Sequence, residues 1–262
     1  MAEMMKGNEA IAEAAIRAGA RFYAGYPITP SSEIMEYLSW RMNEVGGAFV
    51  QAESELAGIN MVIGASSCGV RALTASSGPG ISLKQEGIST LCDEGLPAVV
   101  ITQVRYGNGL GTLFTSQCDY HRETRGGGQG DYRCIVLCPS SIQEFVDLML
   151  PAYELAEKYR IVTIMMGEGT LGQMMEPVEL PDFVEPKRTP WALNGHYTYK
   201  KIGIFERDSM AEAVELRAKY AEIKENEQRW EEEDIADADY VFVAYGVPGR
   251  ATLGAVRELR AA

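Results

Sequence analysis

The chain has two histidines, His121 and His196, and no two of its five cysteines are spaced Cys-x-x-Cys. A histidine-rich metal centre, a familiar Ser-His-Asp triad and a local iron–sulfur or zinc motif are therefore excluded. Cys68, Cys92, Cys118, Cys134 and Cys138 read as free, buried thiols. No apolar run reaches the length of a membrane span, and Met1-Ala2-Glu3-Met4-Met5-Lys6 has no signal-peptide character. The expected compartment is the cytoplasm. Cations are scarce: 24 Lys and Arg face 37 Asp and Glu, a net charge of −13. That disfavours nucleic acid or an anionic membrane as partner. No Rossmann or P-loop glycine pattern follows a strand, and no Gly-x-Ser-x-Gly elbow comes with a suitable histidine.

What is present suits a globular protein: 46% apolar and 23% charged residues over 262 positions, enough for a large core. A helix is expected over residues 8–18, with Asn8 as its cap and Gly19 as its stop. Strand 21–26 follows. Thr29 then caps a helix with Pro30 at its first position. The alternation continues with a strand near 49–50, a helix over 54–66, a strand over 70–74, a turn at 76–80 and a helix over 81–91. The apolar strand 97–102 leads into a Gly-rich loop over 105–131, too long for a mere connector. Strand 134–137, a helix from 140 broken near Pro151, and strand 161–165 complete the pattern. Such regular alternation predicts an α/β fold with a doubly wound parallel sheet, its ligands at the carboxyl ends of the strands.

Residues 1–178 are expected to form this domain. Residues 179–237 read as an extended linker and a long connecting helix over 208–233, packed by Leu216, Tyr220, Ile223 and Trp230. Residues 238–262 read as one βα unit, with a strand over 240–245. One such unit cannot bury its own faces, so either it docks on the first domain or the chain is truncated within a second domain; truncation is the expectation.

Four strand ends carry unusual residues. Gln51-Ala52-Glu53-Ser54-Glu55 sets two carboxylates at a strand-to-helix corner, ahead of an apolar run. They are either first-turn acids favoured by the helix dipole or buried groups able to share a proton with a ligand. Tyr26-Pro27-Ile28-Thr29-Pro30-Ser31-Ser32, Ser76-Ser77-Gly78-Pro79-Gly80 and Gln103-Val104-Arg105-Tyr106-Gly107-Asn108-Gly109 add hydroxyls, bare backbone amides and one guanidinium. Gathered on one edge, they suit a small anionic substrate beside a polar cofactor.

Gly25-Tyr26-Pro27-Ile28-Thr29-Pro30-Ser31-Ser32-Glu33, Thr74-Ala75-Ser76-Ser77-Gly78-Pro79-Gly80 and Gly126-Gly127-Gly128-Gln129-Gly130-Asp131-Tyr132-Arg133 carry a resemblance. The chain resembles the alpha-type subunit of 2-oxoacid:ferredoxin oxidoreductases over nearly its whole length, most closely the 2-oxoisovalerate and 2-oxoglutarate branch. The resemblance implies the pyrimidine-type thiamine diphosphate-binding fold. The family's cofactor glutamate matches Glu55, which has Gly64 nine positions on, with Glu53 as the alternative. Arg105 matches the arginine that holds the substrate carboxylate, and Thr29 the threonine beside the keto oxygen. Pro27, Ser76, Ser77 and Gly78 are implied to line the cofactor.

The implied reaction is oxidative decarboxylation of a 2-oxoacid, with 2-oxoisovalerate ahead of 2-oxoglutarate, to acyl-coenzyme A and CO2. Electrons pass through iron–sulfur clusters to ferredoxin. The Gly-Asp-Gly motif that carries magnesium is absent, as are cluster cysteines, so this chain supplies no metal ligand. A beta-type subunit is implied to hold the diphosphate, Mg2+ and a [4Fe-4S] cluster. Gamma and ferredoxin-like delta subunits, and self-association, are implied besides. The chain departs from the family pattern at Tyr106, Asn108 and Gln129, all expected near the substrate entrance. Those departures leave room for a different reading, a non-catalytic paralogue that serves as a binding or assembly module.

Overall fold

The computed structural model describes residues 2–185, 189–193 and 209–262; His196 lies outside them. Its elements run β1 (Glu3–Lys6), α1 (Gly7–Arg17), β2 (Phe22–Gly25), α2 (Ser32–Glu44), β3 (Ala48–Gln51) and α3 (Glu55–Ser67). Then come β4 (Ala72–Ser76), α4 (Gly78–Asp93), β5 (Ala98–Val104), α5 (Tyr120–Arg125), β6 (Ile135–Leu137) and α6 (Ile142–Asp147). The remainder is α7 (Met149–Tyr159), β7 (Val162–Glu168), α8 (Gly169–Gln173), β8 (Met175–Val178), α9 (Ser209–Asn226) and α10 (Gly246–Ala261).

Six strands pair in the order β3-β2-β4-β5-β7-β6, all parallel. This is the doubly wound sheet that the alternation predicts. β5 and β7 are buried at every residue, as strands covered by helices on both faces are, and β5 opens with the apolar run Ala98–Ile101. The chain leaves β2 toward β3 and returns on the other side as β4. The crevice beside β2 is therefore a topological switch point, and the ends of β2, β3, β4 and β5 converge there. No helix among the described residues is long and apolar enough to cross a membrane.

Several local expectations are corrected. Asn8 does not cap α1; Lys6 holds that position, and Asn8 is fully buried inside the first turn. Thr29 does not cap α2 either. The Thr29-Pro30 peptide is cis, Ser31 N–H closes a turn onto Ile28 O at 2.9 Å, and the helix starts only at Ser32. Ser76 ends β4 rather than opening a turn, and Gly78 and Pro79 belong to the first turn of α4, where proline's missing N–H costs nothing. β1 and β8, which form a separate antiparallel pair, were not foreseen.

The connecting helix ends at Asn226, short of residue 233. Tyr220 and Ile223 pack on the core as expected, but Trp230 lies past the helix end and is 68% exposed. Residues 240–245 form no strand, and among the described residues no strand lies beside them to accept their hydrogen bonds. The following helix docks on the first domain. The Glu168 carboxylate, at the end of β7, accepts from Val247 N–H at 3.3 Å and from Gln117 Nε2 at 2.7 Å. Gly246 (φ 61°) has no side chain to strike that carboxylate.

α1 and α2 are joined through Glu13. Its buried carboxylate accepts from Arg17 Nε at 2.9 Å, Arg41 Nε at 3.0 Å and Tyr37 Oη at 3.1 Å. Burial pushes this carboxyl up, but the two guanidiniums and the phenol outweigh it and hold its pKa below the ordinary value. A lowered native pKa means stability present above the unfolded-state value and lost as pH falls through the native one. Glu13→Gln is therefore expected to cost about 2 kcal/mol at neutral pH. It should also flatten the acid-side loss of stability that begins near pH ~4.3. Urea denaturation midpoints of both proteins from pH 3 to 7 check this; parallel curves would refute it.

Candidate active site

Glu55 owes its position to a helix cap. Ser54 accepts from Ala57 N–H at 3.1 Å and starts α3, so Glu55 is the first helical residue and turns inward. It is 6% exposed, whereas Glu53, two residues earlier on the corner, is exposed. A Cβ on Gly80 would lie 2.6 Å from Glu55 Oε1 and would strike Ser76 Oγ. A bare glycine at this point lets α4 approach the strand ends closely. Ser76 Oγ and Ser77 Oγ are buried there without any hydrogen-bond partner. Buried hydroxyls are normally satisfied, so these two are open to a hydrogen bond from a bound group.

Arg105 follows the last residue of β5 and is 7% exposed. Its Nη1 donates to Thr29 O and its Nη2 to Leu110 O, each at 2.6 Å. Its Nε has no partner, and a Cβ on Gly78 would come within 3.1 Å of it. The guanidinium thus joins the ends of β2 and β5 beside the N-terminus of α4 and keeps an N–H free. Thr29 and Pro27 are exposed on the loop after β2. That loop is held from beneath: Asn8 Nδ2 donates to Pro30 O at 2.7 Å, and Gln103 Nε2 donates to Asn8 Oδ1 at 3.0 Å. The misassigned cap is the hub that fixes the Thr29 loop to β5.

Tyr106 and Asn108 lie in the loop beside Arg105, as expected. Gln129 does not: its carbonyl accepts from Ser89 Oγ at 2.8 Å, about three turns along α4 from the site. Of the other nearby arginines, Arg122 is engaged by Asp119 at 3.0 Å and Glu123 at 2.9 Å, and it donates to Gly78 O at 2.9 Å. Arg125 is exposed, and Arg133 Nη1 donates to Tyr132 O at 2.8 Å.

Near the site, two buried charged residues escaped the sequence reading: Glu123 and Lys84. Burial pushes the Glu123 carboxyl up despite Arg122. For Lys84 a signal existed, since Ile81, Lys84, Ile88 and Leu91 share one helical stripe.

The Glu55 carboxylate, two unpartnered hydroxyls and the close approach at Gly80 gather polar groups at one point of the strand ends. That set suits an aminopyrimidine: a flat heterocycle with a ring nitrogen for Glu55 and an amino group for a neutral acceptor.

The family model described as pyruvate flavodoxin/ferredoxin oxidoreductase, thiamine diphosphate-binding, matches residues 13–239. The ketoisovalerate oxidoreductase subunit VorB of Methanothermobacter thermautotrophicus is 48% identical, over 99% of this chain and 76% of its own length. The 2-oxoglutarate synthase subunit KorA of Methanocaldococcus jannaschii is 38% identical, over 98% and 78%. Among solved structures, the 2-oxoglutarate:ferredoxin oxidoreductase from Magnetococcus marinus, with 2-oxoglutarate, coenzyme A and succinyl-CoA bound, superposes with a TM-score of 0.88 at 25% identity. That match covers 99% of this chain but about half of the solved one, 52%. The chain belongs to the thiamine diphosphate-binding family of pyruvate flavodoxin/ferredoxin oxidoreductases, in the branch of the 2-oxoacid:ferredoxin oxidoreductase subunits VorB and KorA.

Proposed function

We propose that this chain is the pyrimidine-binding subunit of a thiamine diphosphate-dependent 2-oxoacid:ferredoxin oxidoreductase, and that its substrate is 2-oxoisovalerate. The observation that carries this reading is the joint placement of Glu55, Ser76, Ser77, Gly80 and Arg105 at one switch point. Bound thiamine diphosphate supplies a carbon nucleophile and an electron sink for loss of CO2. Glu55 holds and exchanges a proton at the pyrimidine ring nitrogen. Ser76, Ser77 and Gly78 line the ring, and Pro27 bounds it from the β2 loop. Arg105 orients the 2-oxoacid carboxylate through its free N–H, and Thr29 stands beside the keto oxygen. The balance is one 2-oxoacid and one coenzyme A giving acyl-coenzyme A, CO2 and a proton, with two electrons passed to ferredoxin.

The choice of a branched-chain acid rests on charge. 2-Oxoglutarate needs a second cation for its distal carboxylate, and Arg122 is already neutralised by Asp119 and Glu123. A beta-type subunit holds the diphosphate, Mg2+ and a [4Fe-4S] cluster, with gamma and delta subunits completing the electron path. Residues 1–178 act as the pyrimidine domain.

The test is coenzyme A-dependent reduction of ferredoxin or methyl viologen by the assembled complex, offered pyruvate, 2-oxoisovalerate, 2-oxoglutarate and indolepyruvate. At least a tenfold preference in kcat/KM for 2-oxoisovalerate is expected. A preference for 2-oxoglutarate would overturn the substrate reading. No turnover from a complex that assembles and binds the cofactor would point to a non-catalytic module.

A further inference from the structure

Lys84, on α4, is 0% exposed. Withdrawing an ammonium from water is costly, and an apolar side chain of similar volume would fill the same space more cheaply. Its position shows what the charge does. Nζ donates to the Thr74 hydroxyl at 3.0 Å and points at the Glu55 carbonyl at 3.4 Å. A Cβ on Gly58 would lie 3.4 Å from this Nζ and 3.3 Å from the Cα of Gly25, the last residue of β2. The ammonium therefore fills the wedge where α3, β2 and β4 meet, directly behind Glu55.

We propose that Lys84 is a positioning residue for Glu55: its ammonium ties the first carbonyl of α3 to Thr74 on β4 and so sets where the Glu55 carboxylate stands at the strand ends. This rests on the reading of Glu55 as the cofactor glutamate. Electrostatics agree with the geometry. Burial pushes the Lys84 pKa down to about 8, while the field of Glu55 acts in the opposite sense. The Lys84 ammonium therefore lies within the field of the Glu55 carboxylate.

The experiment is isothermal titration of thiamine diphosphate, at fixed Mg2+, into the assembled complex. It uses wild type, K84M, T74V, E55Q and the doubles K84M/E55Q and T74V/E55Q, with thermal melts alongside. K84M is expected to weaken cofactor binding about tenfold and T74V about threefold, and each should change Kd less than twofold once Glu55 is gone. A brace of the fold alone would cost the same factor in both backgrounds, and that result overturns the proposal. So does an unchanged Kd in K84M. Should K84M fail to assemble, the T74V and E55Q cycle decides by the same rule. Wild-type cofactor affinity in E55Q is a different failure: it removes Glu55 from the cofactor, and the role of Lys84 with it.

Discussion

Glu55→Gln is expected to lower kcat of the assembled enzyme about a thousandfold, the middle of the range for loss of a positioned acid–base group. Glutamine keeps the shape of the side chain and one acceptor oxygen, so α3, its Ser54 cap and the packing against Gly80 survive. What it loses is the ability to exchange a proton. Glu53→Gln, at an exposed corner, should stay within about twofold of wild type. The contrast is the informative part, because the two carboxylates are two residues apart and differ mainly in burial. Coenzyme A-dependent ferredoxin reduction under saturating 2-oxoisovalerate and cofactor measures both. More than a tenth of wild-type turnover in E55Q would remove Glu55 from the chemistry, and a large loss in E53Q would transfer the role.

Arg105→Met is expected to reduce kcat/KM about a hundredfold, chiefly through KM. Removing one partner of a buried, hydrogen-bonded charge pair costs about 3 kcal/mol, or two decades. The competing role is a brace, since Arg105 also satisfies Thr29 O and Leu110 O and ties down the loop that carries Tyr106 and Asn108. The two roles separate kinetically. A lost anchor for the substrate anion raises KM, whereas a loosened Thr29 loop lowers kcat at unchanged KM. Arg105→Lys keeps the charge but has no planar fork, so it should recover part of the KM defect without restoring both carbonyl contacts. A wild-type KM in R105M would leave the brace as its role.

The alternation of elements was legible because buried parallel strands and amphipathic helices impose different spacings on apolar residues, and both depend on local order alone. The unbroken apolar run in β5 announced a strand covered on both faces, and it is one. Element ends were less legible. Asn8 has the chemistry of a cap, but a cap is defined by which backbone N–H it reaches, and Asn8 reaches Pro30 from another part of the chain. Thr29 and Pro30 spell a helix start, yet they lie in the turn that Ser31 closes onto Ile28, before α2 begins at Ser32. Residues 240–245 have the composition of a strand, but a strand exists only with a neighbour to bond.

Sequence by itself determined the fold class, the set of strand ends that carry polar residues and, through the Tyr26-to-Ser32 and Thr74-to-Gly80 motifs, the family. These are properties of local order and composition. Only the tertiary structure decided which of Glu53 and Glu55 is buried, that Arg105 spans from β5 to Thr29, that Gln129 lies far from the site, and that Lys84 stands behind Glu55. Each of these depends on distances between segments far apart in the chain, set by sheet order and by glycines such as Gly58 and Gly80 that let helices close on strands. Burial and charge coupling arise only once those segments are packed.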